Sequence, residues 1–303
     1  MTEEKQEEMQ SVGAALEEAI RAINPDSKLL QAMREAAALT PKERVQRAVD
    51  QYNAQRGHLD ETTGGYDCKK CLNRGDRAVL EERDGAYYDV YPPCECMKIR
   101  RSIWRIMESG LAKTMKEQTL KTFDAKADWQ KHMLDSAQRY IKEGAKSGAW
   151  FFIGGQVGSG KTHLCTGIAR ELLYSGMELR YMVWGEESKK LKALAGDVEY
   201  AEELRKWQQC DVLYIDDLFK PVKDDSGRLK PPTDADVRLS FDLLNYRYIN
   251  RMATIISSER FSSEIVEIDE AVGSRIYERA KDYCEDLKRD AARNHRLLDN
   301  TLI

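Results

Sequence analysis

Eight consecutive residues constrain this chain more than any others. Gly155-Gln156-Val157-Gly158-Ser159-Gly160-Lys161-Thr162 fit the pattern G-x-x-x-x-G-K-[ST] at every fixed position. The flanks fit as well. Trp150-Phe151-Phe152-Ile153 reads as an apolar strand, and the residues after the loop carry Leu164, Ile168 and Leu172 on one helical face. Such a strand–loop–helix suits a phosphate. Glycines let backbone N–H groups wrap an anion with no side chain in the way, and the helix turns its positive end to the same anion. Lys161 is expected to reach the β- and γ-phosphates of a nucleotide, and the Thr162 hydroxyl to ligate Mg²⁺.

The rest of this half of the chain alternates in the same way. Leu179–Val183, Val212–Ile215 and Thr254–Ser257 read as further short strands, with helical segments at 161–175, 186–208 and 235–251. That order predicts an α/β fold with a central parallel sheet flanked by helices over residues 146–303. Val212-Leu213-Tyr214-Ile215-Asp216-Asp217 is an apolar run that ends in two acids. Asp216 is the expected Mg²⁺ partner, directly or through water. Asp217 is placed to polarise an attacking water. An aspartate reaches one methylene less far than a glutamate, which suits slow hydrolysis.

The seven cysteines are an odd count, and four of them form two close pairs, Cys68-Lys-Lys-Cys71 and Cys94-Glu-Cys96. Between the pairs, Ala78–Arg83 and Ala86–Tyr91 flank Asp84-Gly85, a dipeptide suited to a tight type I′ hairpin turn. Two knuckles bracketing a hairpin predict a zinc ribbon over residues 57–97, with Cys68, Cys71, Cys94 and Cys96 as a closed shell for a structural zinc. His58 is an alternative ligand, and reduced cysteines in a packed unit are the other reading. Cys165, Cys210 and Cys284 read as ordinary small core residues.

Residues 1–56 read as helices. Val12, Leu16, Ile20 and Ile23 form one stripe, Leu29, Leu30, Met33 and Ala37 a second, and Thr40-Pro41-Lys42-Glu43 opens a third helix with a capping box. This set is either a self-packed bundle or a docking module. Residues 98–145 look like a basic helical connector, with seven Lys/Arg against two Glu from Lys98 to Lys121. That run is a solvated face or a phosphate-contacting surface. The whole chain carries 48 Lys+Arg and 52 Asp+Glu, so no bulk positive field announces nucleic acid. No run approaches the ~20 apolar residues of a membrane helix. The acidic start at Met1–Glu8 is unlike a signal peptide, so a cytoplasmic protein is expected.

Gly154 to His163, with Ile215-Asp216-Asp217-Leu218, resembles the AAA+ ATPase domain of the DnaC/DnaI-type bacterial helicase loaders. The similarity continues through Asn245-Tyr246-Arg247-Tyr248, Thr254-Ile255-Ile256-Ser257-Ser258-Glu259 and Gly273-Ser274-Arg275-Ile276. The cysteine-rich unit and the stretch Ser109-Gly110-Leu111…Thr122-Phe123 are similar to phage and low-GC Gram-positive members. The resemblance covers roughly residues 60–300. It implies an ATPase that uses ATP and Mg²⁺, with Gly155, Gln156, Val157, Gly158, Ser159, Gly160, Lys161, Thr162 and His163 as its nucleotide-binding set. It gives Ser258 and Glu259 the sensor 1 position, on a strand between the phosphate-loop strand and the Asp216 strand. Family members often carry Asn or Asp where Glu259 stands. Arg275 matches an arginine finger acting on a neighbouring subunit's ATP, and Arg296, or else Arg293, the sensor 2 arginine.

The same resemblance implies partners: a hexameric replicative helicase, single-stranded DNA, and further copies of this chain through the AAA+ domain. Lys189, Lys190 and Lys192 are candidates for phosphate contacts along a strand, or a solvated helix face. Phe123 is a candidate for stacking near the base. The alternative is an IstB-like transposition helper on duplex DNA, against which the zinc unit weighs. An unfoldase would need an aromatic pore loop and a large lid. A replication initiator would need a helix-turn-helix after the ATPase, and the sequence closing at Ile303 is expected to leave no room for either addition.

Overall fold

The computed structural model describes residues 38–108 and 111–294. The two apolar stripes expected before Thr40, the Ser109-Gly110 pair and Arg296 lie outside the described residues. Contacts divide the chain after Cys94 into two compact units.

In the first unit, helix α1 (Pro41–Ala54) starts as its sequence predicts. The Glu43 amide donates to the Thr40 hydroxyl at 3.3 Å, and the Thr40 amide donates to the Glu43 carboxylate at 2.8 Å. Strands β1 (Val79–Arg83) and β2 (Ala86–Val90) pair antiparallel, with Arg83 opposite Ala86. Asp84 and Gly85 both have positive φ, 51° and 77°, which is the type I′ geometry that matches strand twist. Asn53 ties α1 to this hairpin through both its amide atoms, at 3.0 and 2.9 Å from the Ala78 backbone.

The second unit opens with α2 (Cys96–Glu108), α3 (Leu111–Glu117) and α4 (Asp128–Arg139). These are the helices that the sequence suggests as a connector, yet they pack as part of this unit. Ile99, Ile103 and Ile106 of α2 are buried, the Ser102 hydroxyl accepts from the Leu179 amide at 3.2 Å, and Arg105 pairs with Glu178 at 2.7 Å. Three isoleucines at helical spacing need a hydrophobic partner, and the sheet edge supplies it. Of the cations in 98–121, Lys98, Arg101, Lys113, Lys116 and Lys121 are exposed, whereas Arg100 is fully buried and Arg105 partly so.

The core is a five-stranded sheet of β3 (Trp150–Gly155), β4 (Leu179–Val183), β5 (Val212–Asp216), β8 (Ala253–Ser257) and β9 (Cys284–Leu287), in the order β4-β5-β8-β3-β9 and parallel throughout. Strands β3, β5 and β8 are buried along their whole length, so they read as continuous apolar runs. The strand with the Ser258 segment does lie between the phosphate-loop strand and the Asp216 strand. Helix α5 (Lys161–Tyr174) follows the loop. The single helix expected at 186–208 is instead α6 (Trp184–Ala193) and α7 (Val198–Gln208), because Gly196 at φ 100° breaks the run. A small hairpin, β6 (Val222–Lys223) with β7 (Leu229–Lys230), leads into α8 (Asp234–Ile249), and α9 (Ser262–Ile268) and α10 (Glu270–Ala280) precede β9. No helix among the described residues is long and apolar enough to cross a membrane.

Candidate active site

In this sheet order, the carboxyl ends of β3, β5 and β8 lie side by side, and the residues that follow them converge. This is where open α/β sheets bind ligands. A cleft of about 250 Å³ is lined by Gln118, Val157, Gly158, Gly160, Lys161, Thr162, His163, Asp217, Lys220 and Glu259. Gly160 caps α5 with φ 89°, and Lys161, Thr162 and His163 at the helix start line the cleft. A Cβ at Gly160 would stand 3.1 Å from the Phe123 ring, and at Gly155 (φ 97°) it would stand 2.2 Å from the Leu287 carbonyl. Only glycine fits both positions. The Lys161 ammonium donates to the carbonyls of Gly155 (2.9 Å) and Gln156 (2.6 Å), which holds it across the loop. Ser159 is buried and closes the turn on the Gln156 carbonyl at 2.7 Å.

Asp216 ends β5 with its carboxylate almost fully buried. It accepts from Tyr181 Oη at 2.9 Å and from the Ser257 hydroxyl, and Thr162 Oγ1 lies 3.4 Å from it. Burial and the nearby Asp216 charge push the Tyr181 phenol up, so it stays a donor. A threonine hydroxyl beside an ionisable carboxylate is a hard oxygen set that fits Mg²⁺. The glycine cradle fits a phosphate chain. Gln118 Oε1, on the cleft wall, is buried without a hydrogen-bond partner among the described residues, which suits a polar ligand group in the cleft.

Asp217 follows at φ 59°, its amide donating to the Ser257 hydroxyl at 3.1 Å and its carboxylate bound by Lys220 at 2.6 Å. Lys220 also lies 3.6 Å from Glu259. The serine that faces this chemistry is Ser257. Ser258, to which the resemblance gives the sensor position, is fully buried and turns its hydroxyl to the Leu218 carbonyl at 2.7 Å. Strand alternation decides between them: successive residues point to opposite faces. His163 bonds the Thr119 carbonyl at 2.9 Å and meets Phe123 edge-on, 5.4 Å between centroids, so Phe123 braces the loop.

Arg275 does not line this cleft. It sits on α10, bonded to Asn245 at 3.0 Å and the Ala271 carbonyl at 2.6 Å, over the Phe241 ring. Arg293 stacks on Trp129, with Asp290 at 3.9 Å, while the Asp290 amide donates to Gln156 at 3.1 Å. The segment before Arg296 therefore runs along the phosphate loop. Tyr181, Lys220, Gln118 and Ser257 are members of the site that the sequence reading did not select.

The thiols of Cys68, Cys71, Cys94 and Cys96 all lie within 4.8 Å of one another, and all four residues are buried. The Gly75 amide points at Cys71 Sγ (3.4 Å), and left-handed residues at Leu72, Asn73 and Gly75 shape the knuckle. Four converging sulfurs with an N–H donor fit the tetrahedral thiolate shell of zinc. His58 is apart from them, exposed beside Glu61 at 3.3 Å.

A phosphate loop on β3, an acid ending β5 and an additional strand between the two define a P-loop NTPase of the AAA+ type. Within that class the chain belongs to the IstB-like ATP binding proteins, whose family pattern matches residues 100–295. It is 34% identical over 243 residues to the phage-like element PBSX protein XkdC of Bacillus subtilis (strain 168), covering 77% of this chain and 86% of that one. It is 26% identical over 127 residues to the replicative helicase loader DnaC of Buchnera aphidicola subsp. Schizaphis graminum, covering 41% and 50%. Among solved structures, a crystal structure of the DnaC helicase loader matches with a TM-score of 0.48 at 22% identity, over 59% of this chain and 100% of that one. The protein binds ATP and is an ATPase of this family.

Proposed function

We propose that the protein is a helicase loader, which grips a hexameric replicative helicase and delivers it to single-stranded DNA with ATP as the switch. The family description names IstB-like proteins, so an IstB-like transposition helper is the alternative. The observation that favours the loader is the buried four-thiol cluster encoded before the phosphate loop: a cluster fit for zinc suits a protein that holds a partner with one part and reads nucleotide with another. The similarity to a replicative helicase loader supports it.

In this reading the amides of Gly155–Gly160 and Lys161 bind the phosphates, and Thr162 with Asp216 holds magnesium. Bound Mg·ATP supplies the phosphoryl group that is attacked. Asp217 orients and deprotonates the attacking water, Glu259 borders the γ-phosphate end beside Lys220, and Ser257 fixes Asp216 and Asp217 relative to each other. Arg275 acts on the cleft of a neighbouring copy, which makes turnover depend on assembly. Two measurements test this. Native mass of the full chain with ATP should rise when the cognate replicative helicase is added. Binding to duplex DNA with no helicase complex would favour the transposition helper instead. Asp217→Asn should bind ATP as the parent does, yet lose turnover by about 100-fold or more, read by steady-state phosphate release.

A further inference from the structure

Lys220 stands where two cavities meet. On one side it lines the nucleotide cleft with Lys161, Thr162 and Asp217. On the other it lines a cavity of about 390 Å³ between α6 and the β6–β7 hairpin, whose charged residues are Lys189, Lys192, Lys220, Lys230 and Asp236. Four cations face one carboxylate there, and that carboxylate is already bound by Lys192. Lys189 and Lys230 have no ion-pair partner among the described residues, so the cavity carries an uncompensated positive charge suited to a phosphodiester backbone.

The turn that carries Lys220 is clamped. The Leu218 amide donates to the Ser257 carbonyl at 2.9 Å, the Leu218 carbonyl accepts from Ser258, and Arg260 Nε donates to the Phe219 carbonyl at 2.8 Å. Asp217 and Phe219 are both left-handed, at φ 59° and 51°, and the surrounding bonds hold them so. The backbone is therefore fixed, and what can move is the half-exposed Lys220 side chain on its four-carbon stem. In this structure its ammonium binds Asp217 at 2.6 Å and Glu259 at 3.6 Å. The ammonium occupies one carboxylate oxygen of Asp217, leaving fewer acceptor positions to orient a water.

We propose that Lys220 is a positioning residue for hydrolysis: it restrains Asp217, and releases it when the backbone of a single DNA strand in the neighbouring basic cavity takes the ammonium. Exposed ion pairs are weak enough for such an exchange of partners. The inference rests on the reading of Asp217 as the water-activating base.

The test is steady-state ATPase of the full chain with and without a single-stranded oligothymidylate. Parent protein should be stimulated by the oligonucleotide. Lys220→Gln should raise kcat without it by about two- to tenfold, leave the KM for ATP unchanged, and respond no further to it. Lys189→Gln/Lys230→Gln should keep the unstimulated kcat and need more oligonucleotide for half-activation. A Lys220→Gln rate at or below that of the parent, with its thermal midpoint intact, overturns the proposal, as does a parent that the oligonucleotide does not stimulate. Asp217→Asn, run in parallel, separates the two ideas. If it is inactive while Lys220→Gln behaves as the parent, only the Lys220 inference fails; if it still turns over, the base assignment fails and the inference goes with it.

Discussion

Arg247 shows how much a single side chain can hold. It is fully buried on α8, and none of its hydrogen bonds among the described residues ends on a carboxylate. Its guanidinium instead donates to the Thr254 hydroxyl (3.0 Å) and to the carbonyls of Gln208 (2.8 Å), Cys210 (2.9 Å) and Ala253 (2.5 Å). Those carbonyls belong to the ends of α7 and the starts of β5 and β8, so one planar fork sets the register of the two strands that carry Asp216 and Ser257. Burial pulls its basicity down, but the group is matched by acceptors. Arg247→Met should cost at least about 3 kcal/mol, because several buried carbonyls lose their donor together. Urea unfolding midpoints check this. Gly155→Ala makes the contrasting case: at φ 97° with a carbonyl 2.2 Å from the new Cβ, it should disturb the loop and weaken ATP binding at least about tenfold by titration calorimetry.

At the scale of elements, what each segment announces depends on where its partners are. The capping box at Thr40 and the Asp84-Gly85 turn are complete within four residues, so local chemistry reveals them. Strand β9, Cys-Glu-Asp-Leu, is a polar edge strand without the apolar run of its neighbours, and only pairing with β3 makes it a strand. The β6–β7 hairpin is rich in charge and equally silent. The cysteine knuckles lie between these extremes: their spacing suggests a metal, while convergence of the four thiols needs the hairpin between them. Metal analysis of the purified chain should find about one zinc per chain. Cys71→Ser should lower that content and destabilise the first unit in thermal melts, with ATP affinity unchanged.

For the molecule as a whole, the nucleotide site and the proposed finger do not meet within one chain. Arg275 is held on α10 by Asn245 and Ala271, apart from the cleft lining. If its target lies on a neighbour, Arg275→Ala should bind ATP with the parent's affinity and fail to hydrolyse it even at high protein concentration, and mixing it with Asp217→Asn protein should restore part of the turnover. Undiminished hydrolysis by Arg275→Ala alone removes the residue from the site.

The sequence by itself determined the phosphate loop, the acid after β5 and the alternation that makes the sheet parallel. These are properties of neighbouring residues: consecutive glycines, a lysine–threonine pair at a helix start, an apolar run that stops at a carboxylate. Only the tertiary structure decided that Ser257 rather than Ser258 faces Asp216, that Tyr181 bonds Asp216, that Gln118 and Lys220 join the cleft, and that residues 98–145 pack within the ATPase unit. Strand order and register brought Ser257 and Tyr181 to Asp216 across 41 and 35 residues, and such long-range pairing leaves no trace in any local stretch of chain.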